Sequence, residues 1–240
     1  MRRLKRRPPV KDTGDPKHFA HGLNFYKLFW VFFICCFLGV VMETVFVLAV
    51  DHRFMSRTGL VWGPFNLVYG IGGLLMTVCC IWFKGKSDRW IFAGGMLIGG
   101  GFEYFCSWLQ ETLTGTVSWD YSEMAFNLNG RINLLYCFFW GILALVWVKE
   151  LYPRISNWIE GHVPNSIGIT LSWVLIVFML ANSFVSGAAV LRMAGRYEGL
   201  PAANGFTRWL DQAYPDDKLA KIYPSMMHVD QLDGTAGGEP

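Results

Sequence analysis

The chain has 240 residues, 53% of them hydrophobic, 16% aromatic and only 16% charged, with a net charge of +3. A soluble domain of this size carries about a quarter charged residues, so an ordinary soluble fold is excluded, and the small net charge gives no footing for nucleic acid. The charge is absent from five long blocks and gathered between them, which makes the bilayer the solvent and predicts an all-α chain.

Residues 1–24 form a basic, proline-containing arm without periodicity, carrying Arg2, Arg3, Lys5, Arg6, Arg7, Lys11 and Lys17. It reads as a disordered cytoplasmic arm near anionic headgroups. The apolar run at 28–50 is longer than the about 7–15 residues of a signal-peptide core, and no A-x-A-like site follows it. An uncleaved anchor helix is expected there. Runs at 60–83, 90–110, 132–148 and 167–191 are also long enough to cross about 30 Å of hydrocarbon. The fourth is short and gains a turn from Arg131 or Lys149. A polytopic bundle of about five transmembrane helices is thus expected over residues 25–191.

Flanking charge sets the orientation. The arm, the connection 84–89 (Lys84, Lys86, Arg89), Lys149 and Arg154 oppose Arg53, Arg57 and Arg131. The N-terminus is expected in the cytoplasm and the C-terminus outside, although five positive charges in the tail pull the other way. In the tail, 192–240, Phe206, Trp209 and Leu210 share one helical face, and Asp216 caps a short helix ended by Pro224. Such an amphipathic tail can lie on the membrane or pack on the bundle, and residues 234–240 read as a disordered end.

The six cysteines all lie inside apolar runs and read as small core residues. No metal site, disulfide framework, cofactor motif, internal repeat or nucleophile–His pairing is visible. The only formally charged side chains within the runs are Glu43 and Glu103, each roughly 10 Å below the outer surface. Asn66, Tyr69, Asn182, Ser183 and Ser186 fall at similar depth, Glu111 closes the third run, and Arg131 and Asn133 border the fourth. Helical spacing puts Cys36, Gly39 and Glu43 on one face, and Gly95, Gly99 and Glu103 on another, so both glutamates point at neighbouring helices. For Asn66, Ser183 and Ser186 the plain reading is hydrogen-bonding glue. A carboxyl group at this depth costs on the order of 3 kcal/mol, so proton or cation binding stands beside glue for Glu43 and Glu103. A third reading is a buried pair with Arg131 neutralising one carboxylate. Above them the loop 112–130 gathers Gly115, Trp119, Asp120, Tyr121, Ser122, Phe126, Asn127, Asn129 and Gly130, either a lid or an ordinary interfacial loop. The candidate solute- or ion-binding layer is Glu43, Asn66, Tyr69, Glu103, Glu111, Trp119, Asp120, Tyr121, Asn127, Asn129, Arg131, Asn182 and Ser186.

Several of these segments match a family pattern: Phe37-Leu38-Gly39 with Glu43, Gly63-Pro64-Phe65 with Tyr69-Gly70, and Glu103-Tyr104 with Glu111. The longest runs from Trp119-Asp120-Tyr121-Ser122 through Asn129-Gly130-Arg131 to Trp140-Gly141. Over about residues 27–150 the chain resembles the bacterial family called putative ABC-transporter type IV, or CmpB-like. Arg192, Arg196, Leu210-Asp211 and Pro215-Asp216 are similar to its extended members. Departures are Val40, where the family pattern often has tryptophan, and Asn182, in place of an acidic residue. The family's name implies a cell-membrane permease. No G-x-x-x-x-G-K-[S/T] is present, so any ATPase would be a separate chain. The short inner connections, 84–89 and 149–165, leave little for a coupling element, although the second can hold a short helix. Three functions remain open: a small-solute or ion transport component, a non-transporting membrane interaction or assembly factor, and an enzyme acting on lipid or envelope precursors through Glu103, Glu111 or Asp120.

Overall fold

The computed structural model describes residues 17–83 and 85–229. Most of the basic arm, Lys84 and the expected disordered end fall outside the described residues. Eight α-helices make up the described fold: α1 (Phe25–Asp51), α2 (Leu67–Trp82), α3 (Asp88–Thr114), α4 (Leu134–Val146), α5 (Tyr152–His162), α6 (Asn165–Tyr197), α7 (Gly205–Ala213) and α8 (Asp216–Ile222). Sheet is confined to two antiparallel pairs of two-residue strands: β1 (Thr116–Val117) with β4 (Met227–His228), and β2 (Asn127–Leu128) with β3 (Ile132–Asn133).

Among the described residues, three helices are long and apolar enough to cross a membrane: Phe25–Val50, Leu134–His162 and Asn165–Tyr197. The other two expected spans are helical but fall short for different reasons. α2 has only 16 residues. α3 has 27, but Glu103 and the glycines at 94, 95 and 99–101 hold down the hydropathy of its apolar stretch. Leu97, Phe46, Val177 and Leu180 are among many apolar side chains left exposed, which is the surface a bilayer covers.

The helix ends have local causes. Asn24 caps α1 by accepting the Lys27 N–H at 2.9 Å, and Asn133 caps α4 by accepting the Tyr136 N–H at 3.0 Å. The stretch 60–66, expected as the first turns of a helix, is instead an irregular, bent segment, and α2 begins only at Leu67. Proline at 64 has no N–H and disfavours helix before it, and Gly63 sits at φ +76°. Asn66 starts the helix, its side-chain oxygen accepting the Val68 N–H.

The fourth helix runs further along the chain than the sequence reading placed it. α4 continues through a π-helical turn, Trp147–Leu151, into α5. Pro153 is the physical reason: its ring clashes with a carbonyl one turn back, and a wide turn relieves that clash. The connection at 149–165 is therefore almost wholly helical.

Small residues bring the helices close. Gly95 meets Ala144 and Gly141 across the α3–α4 crossing, and Gly99 seats the Trp140 ring. Between α1 and α2, Cys36 and Cys35 sit over Gly70 and Gly73, and Gly39 receives the Tyr69 ring. Trp30, Val31, Cys35, Met76, Trp147, Ile159 and Val163 form one core at the end of the bundle that holds the α1 N-terminus. At the other end the tail packs on α6: Leu210, Tyr214, Leu219 and Tyr223 close over Ala189. Arg192 and Arg196 pair there with Asp211 and Asp216.

Candidate functional site: a carboxylate layer at one end of the bundle

Three acidic groups occupy the end of the bundle where the loops 52–66 and 115–133 meet the tail. Glu43 of α1 receives the Arg57 guanidinium, with Nε at 2.6 Å, and the Tyr69 hydroxyl of α2. Glu111, in the last turn of α3, receives Arg131 Nη2 at 2.5 Å, and that guanidinium lies 5.5 Å over the Tyr104 ring. Glu103 differs from both. Its two oxygens accept the Tyr121 hydroxyl at 2.8 Å and the Trp140 indole N–H at 2.7 Å, both neutral donors. Among the described residues no cation pairs with it.

Of the expected layer, Glu43, Tyr69, Glu103, Tyr121, Glu111 and Arg131 make these contacts. Asn182, Ser186 and Asn66 do different work. Asn182, fully buried on α6, accepts the Trp62 N–H at 3.1 Å and donates to the Trp62 carbonyl at 2.7 Å. Ser186 accepts the Val61 N–H at 2.9 Å. These side chains supply hydrogen bonds that the bent stretch 60–66 forgoes by not being helical, which membrane depth requires. Asn66 reaches back to the Arg57 carbonyl at 3.4 Å, steadying the segment that delivers the guanidinium to Glu43.

The remaining candidates fold the loop 115–133. Asp120 accepts the Ser122 N–H and hydroxyl at 2.9 and 2.6 Å. Asn127 donates to the carbonyls of Ser122 and Met124 and accepts the Gly130 N–H. Asn129 and Gly130 both adopt the left-handed conformation that turns β2 into β3, and Asn129 donates to the Tyr104 hydroxyl at 2.9 Å. Trp119 donates its indole N–H to the Arg131 carbonyl at 3.0 Å. This framework fixes Tyr121, whose ring stacks on Tyr136 at 4.6 Å, so that its hydroxyl reaches down to Glu103. Burial, then the negative charge of Glu103, pushes the Tyr121 phenol well above its ordinary range, so it stays a proton donor.

Sequence reasoning counted Arg57 only as an orientation charge and gave Trp140 no role. Arg57 follows Glu43 by fourteen residues across a turn, and an arginine this near a membrane carboxylate is a usable signal. Trp140 carries none, since its contact with Glu103 depends on the α3–α4 crossing. Lys27 was also passed over. It is fully buried at the opposite end, donating to the Ser156 hydroxyl at 2.5 Å and pairing with Glu160. Among the described residues no three His, Cys, Asp or Glu side chains are grouped to hold a metal ion.

Apolar helices of spanning length, non-helical backbone satisfied by buried side chains, and an exposed apolar surface define an integral membrane protein of helical type. The family described as Putative ABC-transporter type IV matches residues 30–187, and the chain belongs to it. No curated protein and no solved structure matches the chain.

Proposed function

We propose that the protein crosses the cell membrane five times, through α1, α2, α3, the continuous α4–α5 helix and α6, with its N-terminus in the cytoplasm. On this reading it serves small-solute or ion transport, and Glu103 takes up and releases a proton or cation from the outer side. One observation carries the proposal: Glu103 is the carboxylate of the layer held by neutral donors alone, whereas Arg57 and Arg131 neutralise the other two. A membrane carboxylate without a counter-charge is costly, and binding H⁺ or a cation relieves that cost. The Tyr121 hydroxyl, anchored in the outer loop, is the contact through which such an ion arrives. A separate ATPase chain would engage the inner end, where α5 and the 83–90 turn are presented.

The test is ion and proton flux into liposomes holding purified protein. Glu103→Gln keeps the shape and is expected to abolish the flux. Unchanged flux at normal protein levels removes the carboxylate from the mechanism.

A second reading, a membrane interaction or assembly factor, draws on the tail, which packs on α6 and adds β4 beside β1. It predicts that deletion of 204–240 abolishes function in cells while Glu103→Gln leaves it intact.

A further inference from the structure

At the inner end of the α2–α3 hairpin the chain turns tightly, the Phe83 carbonyl accepting the Lys86 N–H at 2.9 Å with Gly85 at φ +79°. The Phe83 ring is held against α3 over Gly94, a position where any side chain would strike it. Trp82 and Trp90 are left splayed on either side, 73% and 57% exposed. Trp82, Phe83, Trp90 and Lys86 line an open cleft of about 300 Å³. The turn's charge is one-sided. Its acidic residue, Asp88, is committed to Lys149 at 2.6 Å, while Lys86 and Arg89 make no ion pair among the described residues, and the sequence adds Lys84.

We propose that this cleft binds an anionic phospholipid, with the headgroup phosphate at Lys86 and Arg89 and an acyl chain against Trp82 and Trp90. Exposed indoles at the end of an apolar helix occupy the headgroup level of a bilayer, and basic groups beside them attract anionic lipid. A soluble acidic partner would satisfy the two cations but not the indoles, which belong at the lipid interface. The site is remote from the carboxylate layer and does not rest on the transport reading.

The test uses the full chain in phosphatidylcholine vesicles, with tryptophan fluorescence quenched by a minor share of brominated phosphatidylglycerol or, separately, brominated phosphatidylcholine. The anionic lipid is expected to quench more at equal share, and Trp82→Phe with Trp90→Phe removes the excess. Lys86→Gln with Arg89→Gln weakens the anionic titration by roughly fivefold per charge removed, whereas Lys86→Arg preserves it; unchanged helicity shows that the variants fold. Equal quenching by the two lipids, or an excess that survives loss of both charges, overturns the proposal. So does an excess erased by soluble glycerol phosphate or by an acidic peptide.

Discussion

Asn182→Leu is the sharpest test of how the stretch 60–66 is held inside the bundle. The asparagine is fully buried and bonds both the N–H and the carbonyl of Trp62. Leucine leaves both backbone groups unpaired, at about 1–3 kcal/mol each. Hydrogen bonds between helices in a bilayer average only about 0.6 kcal/mol, because the unfolded chain in the membrane finds other partners. That discount is weak here, since Gly63 and Pro64 keep Trp62 out of a helix in which its amide would bond itself. The larger effect should win, giving a loss of about 2–4 kcal/mol. Asn182→Ala removes the same acceptor and donor, so a loss of similar size is expected. Equilibrium unfolding in mixed micelles, followed by helicity and tryptophan emission, measures both. An Asn182→Leu or Asn182→Ala variant within about 0.5 kcal/mol of the parent would refute the seat as described.

Three further outcomes are expected. A methyl at Gly95 would sit 3.0 Å from the Trp140 carbonyl oxygen and 3.2 Å from Gly141 Cα, backbone that cannot move aside; Gly95→Ala should cost about 1–3 kcal/mol. Gly101→Ala, with nothing within 4 Å, should be neutral in the same unfolding assay. Arg57→Met strands Glu43 and should cost about 3 kcal/mol, the low end for a broken buried pair because this one is partly exposed; adding Glu43→Gln should recover most of it, and no recovery would show that the guanidinium acts by packing. The Asp211 carboxyl is held below its ordinary range by hydrogen bonds from Arg192 and Arg196. A depressed folded value means stability that is present above the unfolded value of about 3.9 and lost as pH falls through the folded one. Proteolysis of the tail should therefore accelerate in that acid window, and Asp211→Asn should flatten the dependence.

Much of the fold was legible before any coordinates. Blocks of uncharged residues long enough for hydrocarbon dictate helices, because lipid offers backbone groups no partner. The glycines at 95 and 99 announced a close crossing, and Asn129-Gly130 announced a turn. Even the break at residue 63 was written in Gly63-Pro64, although the apolar run around it hid the signal. The two membrane glutamates stood out by cost alone.

Which partner each polar group meets was not legible. Glu43 took Arg57, Glu111 took Arg131, and Glu103 took two neutral donors; the residues bonded to a given glutamate lie 14 to 37 positions away in the chain. Asn182 and Ser186 both stood in the candidate layer, Ser186 with hydrogen-bonding glue as its plain reading, and they bond the main chain of a segment 120 and 125 residues distant. Sequence sets what each residue costs in the membrane, since that depends only on the side chain and its depth. Only the packing of helices decides who offsets that cost, because hydrogen bonds act over about 3 Å and such distances exist only once the bundle has closed.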